Sequence, residues 1–236
     1  MKMMTNYYDI ATEFFKRNCE LIKFDTKEEW LQLRKKGIGG SDLAPILGHS
    51  RYRNAKDIYK SKNEDVEQIT SFAIDFGNRF EPIIFEAFKN KYKDIFAVLD
   101  FKNIMFRNIW FPFLQASLDG VLVYKQTEQV GILEIKSCQQ RKGKWYDNFG
   151  NKVVPQDYFD QAIHYFNTTN AEFVVFYILV NYENPQNDRD MEFLTPRIYW
   201  KKDCLDYCNH CLAECDKFWN NYVKQGIEPN NKITFY

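Results

Sequence analysis

Neither sign of charge prevails in this chain of 236 residues: 32 Lys and Arg are balanced by 32 Asp and Glu. Overall composition therefore points to no nucleic-acid or membrane-surface partner. Long apolar runs are missing as well. The longest, Phe173–Val180, has eight residues, which suits a buried strand and is far too short for a bilayer-spanning helix. The N-terminus, MKMMTNYYDI, lacks the apolar stretch of a secretory signal, and the expected location is the cytoplasm. Histidine is scarce at three residues. No Ser/His/Asp arrangement and no Walker-type glycine loop occurs, which argues against triad hydrolysis and ATP use. No repeat and no Pro/Gly/Ser-rich linker divides the sequence.

What is present is enough apolar material for a folded globule: 45% of the residues are hydrophobic and 17% of the chain is aromatic. Charge is locally uneven. Residues 34–62 carry eight Lys/Arg against two Asp/Glu, and residues 134–152 carry five against two, so a one-sided basic surface is possible. Solvated helix faces explain the same pattern equally well.

The periodicities predict an ordered series of elements. An aromatic helix is expected over residues 6–21, within an N-terminal helical extension of residues 1–25. Thr26 and Glu29 have capping-box spacing, predicting a helix that stops at Gly37. Ser41 is expected to cap a short helix ending near Gly48, and Asn54 another through Tyr59. Helical spacing runs from Ser71 to Tyr92, with a kink or restart at Pro82. Short strands follow at Ala97–Phe101, Ile104–Phe106, Leu114–Ser117, Val121–Tyr124 and Gly131–Ser137. A helix over 155–167, a strand over 173–180, a strand over 192–200 and a closing helix over 201–225 complete the series. Residues 26–236 are thus expected to form one α/β domain, a mixed central β-sheet flanked by helices.

Chemistry concentrates in GILEIKSC, residues 131–138. Glu134 and Lys136 stand two apart on a strand and so share a face. Upstream, SLDG places Asp119 at a turn between two apolar strands, and the Ile135 carbonyl can aim at the same point. Hard oxygen donors of this type suit Mg²⁺ or Mn²⁺, which polarises a phosphate and acidifies water. A Glu–Lys pair on a solvent-facing strand is the plain structural alternative.

Four ordered blocks then resemble a known family: RKKGIGGSDLAPILG, FGNRFEP, SLDG with EIK fifteen residues after the aspartate, and QAIHY. Together they resemble the YqaJ-type viral recombinases, relatives of phage lambda exonuclease within the PD-(D/E)XK nucleases. The resemblance covers roughly residues 28–180. It implies a PD-(D/E)XK, restriction-endonuclease-like core and a Mg²⁺-dependent 5′→3′ exonuclease on linear double-stranded DNA. Such an enzyme leaves 3′ overhangs for recombination, beside a single-strand annealing protein and often as a homotrimer. It implies roles too: Glu81, Asp119 and Glu134 with the Ile135 carbonyl at the metal, Lys136 as catalytic lysine, and Gln161 orienting nucleophile or phosphate. Arg34, Ser41 and Ser117 would receive the 5′-phosphate of DNA, with Asp42 and Tyr165 as further candidates. An endonuclease of the same fold, or an inactive DNA-end-binding or interaction protein, is the alternative. One departure from the pattern is that no Asp or Glu lies between Asp100 and Asp119, where related enzymes can carry another acid.

Cys204, Cys208, Cys211 and Cys215 continue at helical spacing into Phe218 and Tyr222. That is a packing stripe of reduced thiols, and no iron–sulfur cluster is expected from it. His164 is expected to make a packing or polar contact.

Overall fold

The computed structural model describes residues 6–65, 72–139, 145, 151–181 and 191–230. The basic run Arg141, Lys142 and Lys144 lies outside the described residues. Helix α1, Tyr7–Lys16, starts where the Asn6 side chain accepts the Tyr8 and Asp9 amides. It does not reach residue 21. Cys19–Lys23 is instead strand β1, because β3 offers it an antiparallel ladder from Asn108 to Ile104. That partner is distant in sequence, so local helical spacing could not reveal it.

Helix α2, Lys27–Lys35, carries the expected capping box between Thr26 and Glu29. In α3, Gly40–Ile46, the cap differs from expectation. Gly39 is the cap residue, and its N–H donates to Asp42 Oδ2 at 2.9 Å, while Ser41 sits inside the first turn. The helix starts one residue before Ser41, so its hydroxyl is not at the cap position and instead accepts from Arg34 Nη2. Gly48, at φ +76°, closes the segment in the left-handed region that glycine adopts without strain. Helix α4, Ala55–Asn63, is capped by Asn54. Helix α5, Phe72–Tyr92, runs unbroken through Pro82.

A six-stranded sheet follows. Its order is β2 (Phe96–Leu99), β5 (Gly120–Tyr124), β6 (Val130–Gln139), β7 (Phe173–Asn181) and β8 (Met191–Phe193), with β9 (Arg197–Trp200) also pairing with β7. Only β6 and β7 run parallel within it. Their crossover contains α6, Gln156–Thr169, as a parallel connection requires. The expected strand over 192–200 divides into β8 and β9 around Pro196, which has no N–H for a ladder. Strands β3 (Ile104–Asn108) and β4 (Gln115–Ala116) leave the meander and join β1 in a separate three-stranded sheet. The chain closes with a 3₁₀ turn, α7 (Leu205–Phe218) and a π-helical turn over Trp219–Val223.

Both faces of the large sheet are covered. Val174, Phe176, Ile178 and Val180 of β7 pack with Ile163 and Phe166 of α6 and with Cys208, Cys211 and Cys215 of α7. The alternate residues Phe173, Val175, Tyr177 and Leu179 pack with Ile84 and Phe88 of α5. Burial drives the Cys208 and Cys211 thiols up to about 11 and about 12, as expected of packing groups. Among the described residues no helix is long and apolar enough to cross a membrane.

Candidate active site

Strand register assembles the site. Gly120 of β5 pairs with Leu133 of β6, so the next step places Asp119 opposite Glu134. β5 has ended there, and the Ile135 amide would lack a ladder partner. Asp119 Oδ2 accepts it at 2.8 Å. In an antiparallel ladder one residue's N–H and C=O point to the same side, so the Ile135 carbonyl also turns towards this edge. The pleat puts Glu134 and Lys136 on the α6 face, where the Lys136 ammonium donates to Glu134 and, at 3.1 Å, to Gln161 Oε1. Gln161 Nε2 donates to the Tyr165 hydroxyl at 2.6 Å. From α5, Glu81 enters the same cavity one turn beyond Gly77.

The electrostatics are those of crowded acid around one base. Burial pushes the Asp119 carboxyl well above the aspartate range, and Glu134 adds to it. Glu81 is raised by burial as well, with Lys102 opposing and Glu134 reinforcing the shift. Burial alone would lower Lys136, but Glu134 and Asp119 overcome it and hold the ammonium above the ordinary lysine value. Tyr165, raised by burial and by Glu134, stays a neutral hydroxyl.

The opposite wall comes from the N-terminal third of the chain. Arg34 Nη2 donates to Ser41 Oγ at 3.1 Å. Its guanidinium lies 5.0 Å over the ring of Trp30, one helical turn earlier. The Trp30 indole donates to Ser117 Oγ at 2.9 Å, fixing that hydroxyl between α2 and β4. Thus Arg34, Ser41, Glu81, Ser117, Asp119, Glu134, Ile135, Lys136, Gln161 and Tyr165 all line one open cavity of about 490 Å³. Asp42 does not line it. It lies behind Arg34, fully buried, with Lys62 at 2.7 Å, Arg34 at 3.4 Å and Arg53 at 3.5 Å.

The donor set suits a hard divalent cation. Glu134 is buried, and its Oε2 has no well-formed hydrogen bond among the described residues; Asp119 is pushed towards protonation by burial and by Glu134. A cation at this edge relieves both conditions. Among the described residues no three His, Cys, Asp or Glu side chains converge on one point.

The sequence profile of the YqaJ-like viral recombinase domain matches residues 29–172, more than half of the chain and all of the site. The chain belongs to that family. It is 26% identical over 221 residues to the uncharacterized protein YqaJ of Bacillus subtilis (strain 168), covering 92% of this chain and 61% of that one. The chain therefore spans about three fifths of this relative's length. Among solved structures it resembles LHK-Exo, an alkaline exonuclease from Laribacter hongkongensis, in complex with dAMP. The TM-score is 0.64 and the identity 16%, over 86% of this chain and 95% of that one. A phage-related exonuclease from Haemophilus somnus 129PT matches at TM-score 0.51 and 11% identity, over 80% of this chain and 96% of that one. These likenesses place the mixed sheet and its helices in the PD-(D/E)XK fold.

Two residues of the site escaped the sequence reading. Trp30 buttresses Arg34 and Ser117, and Tyr158 presents its ring to Lys136, with Nζ 4.8 Å from the centroid. Each stands one helical turn before a residue that was identified, Arg34 and Gln161. That spacing was the available signal.

Proposed function

We propose that the protein is a Mg²⁺-dependent 5′→3′ exonuclease on linear double-stranded DNA, leaving 3′ overhangs for recombination in the cytoplasm. The observation that carries this reading is one cavity with two unlike walls: acid and lysine at the β5–β6 edge, arginine and hydroxyls opposite. A scissile phosphate and a terminal 5′-phosphate fit those walls respectively. Family membership and the likeness to an alkaline exonuclease holding dAMP support it.

In this mechanism Asp119 and Glu134, helped by Glu81 and the Ile135 carbonyl, would hold the ion. Such an ion would supply Lewis acidity towards a phosphate oxygen and a water. Lys136 donates to the nucleophile or to the phosphoryl oxygens as negative charge grows there. Gln161 keeps the ammonium in place and orients the substrate beside it. Arg34, placed over the Trp30 ring, offers its fork to the terminal phosphate, with Ser41 and Ser117 as hydroxyl donors.

The deciding experiment digests linear duplex DNA, 5′-phosphorylated or 5′-hydroxyl, beside closed circular DNA, in Mg²⁺ and in EDTA. Metal-dependent loss of the linear forms alone, faster with 5′-phosphate, is expected. Cutting of the circle would mean an endonuclease, and end binding without cutting an inactive binder. Glu134→Ala should lower the cleavage rate at least a hundredfold, on the order of 3 kcal/mol of lost stabilisation, with an unchanged circular-dichroism spectrum.

A further inference from the structure

The Lys136 ammonium sits at the end of a stack of four groups drawn from four parts of the chain. Its Nζ lies 4.8 Å from the centroid of Tyr158 on α6. Tyr158 stacks on Trp145, with centroids 5.5 Å apart and planes 16° from parallel. The Arg197 guanidinium of β9 lies over the Trp145 ring, 5.5 Å from its centroid. The far end is firmly anchored. Trp145 is 1% exposed. Its carbonyl accepts from Arg197 Nη2 at 2.7 Å and from the Val153 amide at 3.0 Å, and its indole N–H meets Cys138 Sγ at 3.2 Å. Cys138 follows Lys136 by two residues and shares its face of β6.

An ammonium has three N–H donors. Glu134 and Gln161 take two of them. A third carboxylate or amide would use up the last, whereas a ring face attracts the charge without fixing any proton. The Tyr158 ring therefore confines the flexible lysine stem and leaves one N–H for a ligand in the cavity.

We infer that Tyr158 and, through it, Trp145 are positioning residues for Lys136. This rests on the assignment of Lys136 to phosphodiester cleavage. The test compares full-length Tyr158→Leu and Tyr158→Phe with wild type on 5′-phosphorylated linear duplex in Mg²⁺. Leucine is expected to lower kcat roughly tenfold with KM unchanged, since an interaction supporting chemistry rather than DNA binding is lost. Phenylalanine restores the ring and brings kcat back to within about threefold of wild type. A second readout needs no cleavage: amine acylation followed by peptide mass spectrometry, read at Lys136. Labelling of Lys136 should be several-fold faster in Tyr158→Leu and in Trp145→Leu than in wild type or Tyr158→Phe. Should the leucine variant not fold, Tyr158→Met fills the space without a ring face and takes its place. Equal labelling in all variants would overturn the inference, as would a Tyr158→Phe defect as deep as that of leucine, which would mean the hydroxyl acts instead. If wild type cleaves nothing, the nuclease assignment fails while the labelling still decides the stack.

Discussion

Asp42 is a fully buried carboxylate facing Lys62, Arg34 and Arg53 and accepting the Gly39 amide. Burial works against its charge, but Lys62, Arg34 and Arg53 together hold the carboxyl far below the ordinary aspartate range. Removing it strands a buried lysine whose own charge is already disfavoured by burial. Asp42→Ala should therefore cost about 3–5 kcal/mol in urea unfolding, as expected when one partner of a buried pair is lost. The sign with pH follows from the depressed value. Asp42 contributes fully above the unfolded aspartate pKa of about 3.9 and progressively less as pH falls through its folded value. The wild-type urea midpoint should thus fall more steeply below about pH 4 than that of Asp42→Asn. His164 has the same sign at a higher pH. Its ring is buried, its Nε2 lies 2.9 Å from the Gln115 carbonyl, and burial lowers it to about 4. Between an unfolded value of about 6.5 and that folded value, the unfolded chain takes up the proton first. Stability should drop by roughly 3 kcal/mol over this window, and His164→Gln should lack that component when urea midpoints are compared from pH 7 to pH 4. The polar contact expected for His164 is thus found; the burial that tunes it depends on packing from distant segments.

Helices α3 and α6 approach each other closely at Gly40. A Cβ on Gly40 would come within 2.8 Å of Tyr165 Cε1 and 3.0 Å of Gln161 Cγ. Gly40→Ala should therefore cost about 1–3 kcal/mol through overpacking. By displacing Gln161 from Lys136 it should also lower kcat by roughly ten- to hundredfold. Full cleavage activity in a folded Gly40→Ala would show that the site tolerates that displacement. The same contact shows why GIGGS read alone does not separate a helix–helix turn from a ligand cradle: both use the same small residues. Elements whose signals are local were legible, such as the Thr26/Glu29 box, the helix closing at Gly48 and the long helix through Phe88. Elements decided by remote pairing were not. β1 depends on β3, and β8 and β9 are separated by the three residues Leu194, Thr195 and Pro196 yet share the β7 edge. The Glu134/Lys136 pair was legible because a strand's period of two is rigid. Tyr158 was not, because its partner lies on another element and only the packing of α6 on β6 brings them together.

The whole molecule is neutral, yet its charges are sorted around the cavity, with acids at the β5–β6 edge and on α5, Arg34 on the opposite wall and Lys62 behind it. The acids come from residues 81–134 and the opposite wall from residues 30–41 with Ser117, so the acid cluster exists only in the folded state. Folding therefore concentrates Glu81, Asp119 and Glu134 against their mutual repulsion, and an ion that binds there binds the native state alone. At a hundredfold excess over its dissociation constant such an ion adds about 2.7 kcal/mol. For a chain of this length that corresponds to about 5–10 °C in Tm. Scanning fluorimetry in Mg²⁺ and in EDTA should show this increment in wild type and less than about 2 °C of it in Glu134→Gln, which keeps the shape of Glu134 but removes its charge. Because the readout is stability, it holds whatever the polarity or rate of cleavage. Equal increments in both proteins would place the ion away from Glu134, and the Glu134/Lys136 pair would then be a structural ion pair within β6, on the face that packs against α6. A large increment confined to wild type would tie the charge balance of the fold to the chemistry at its edge.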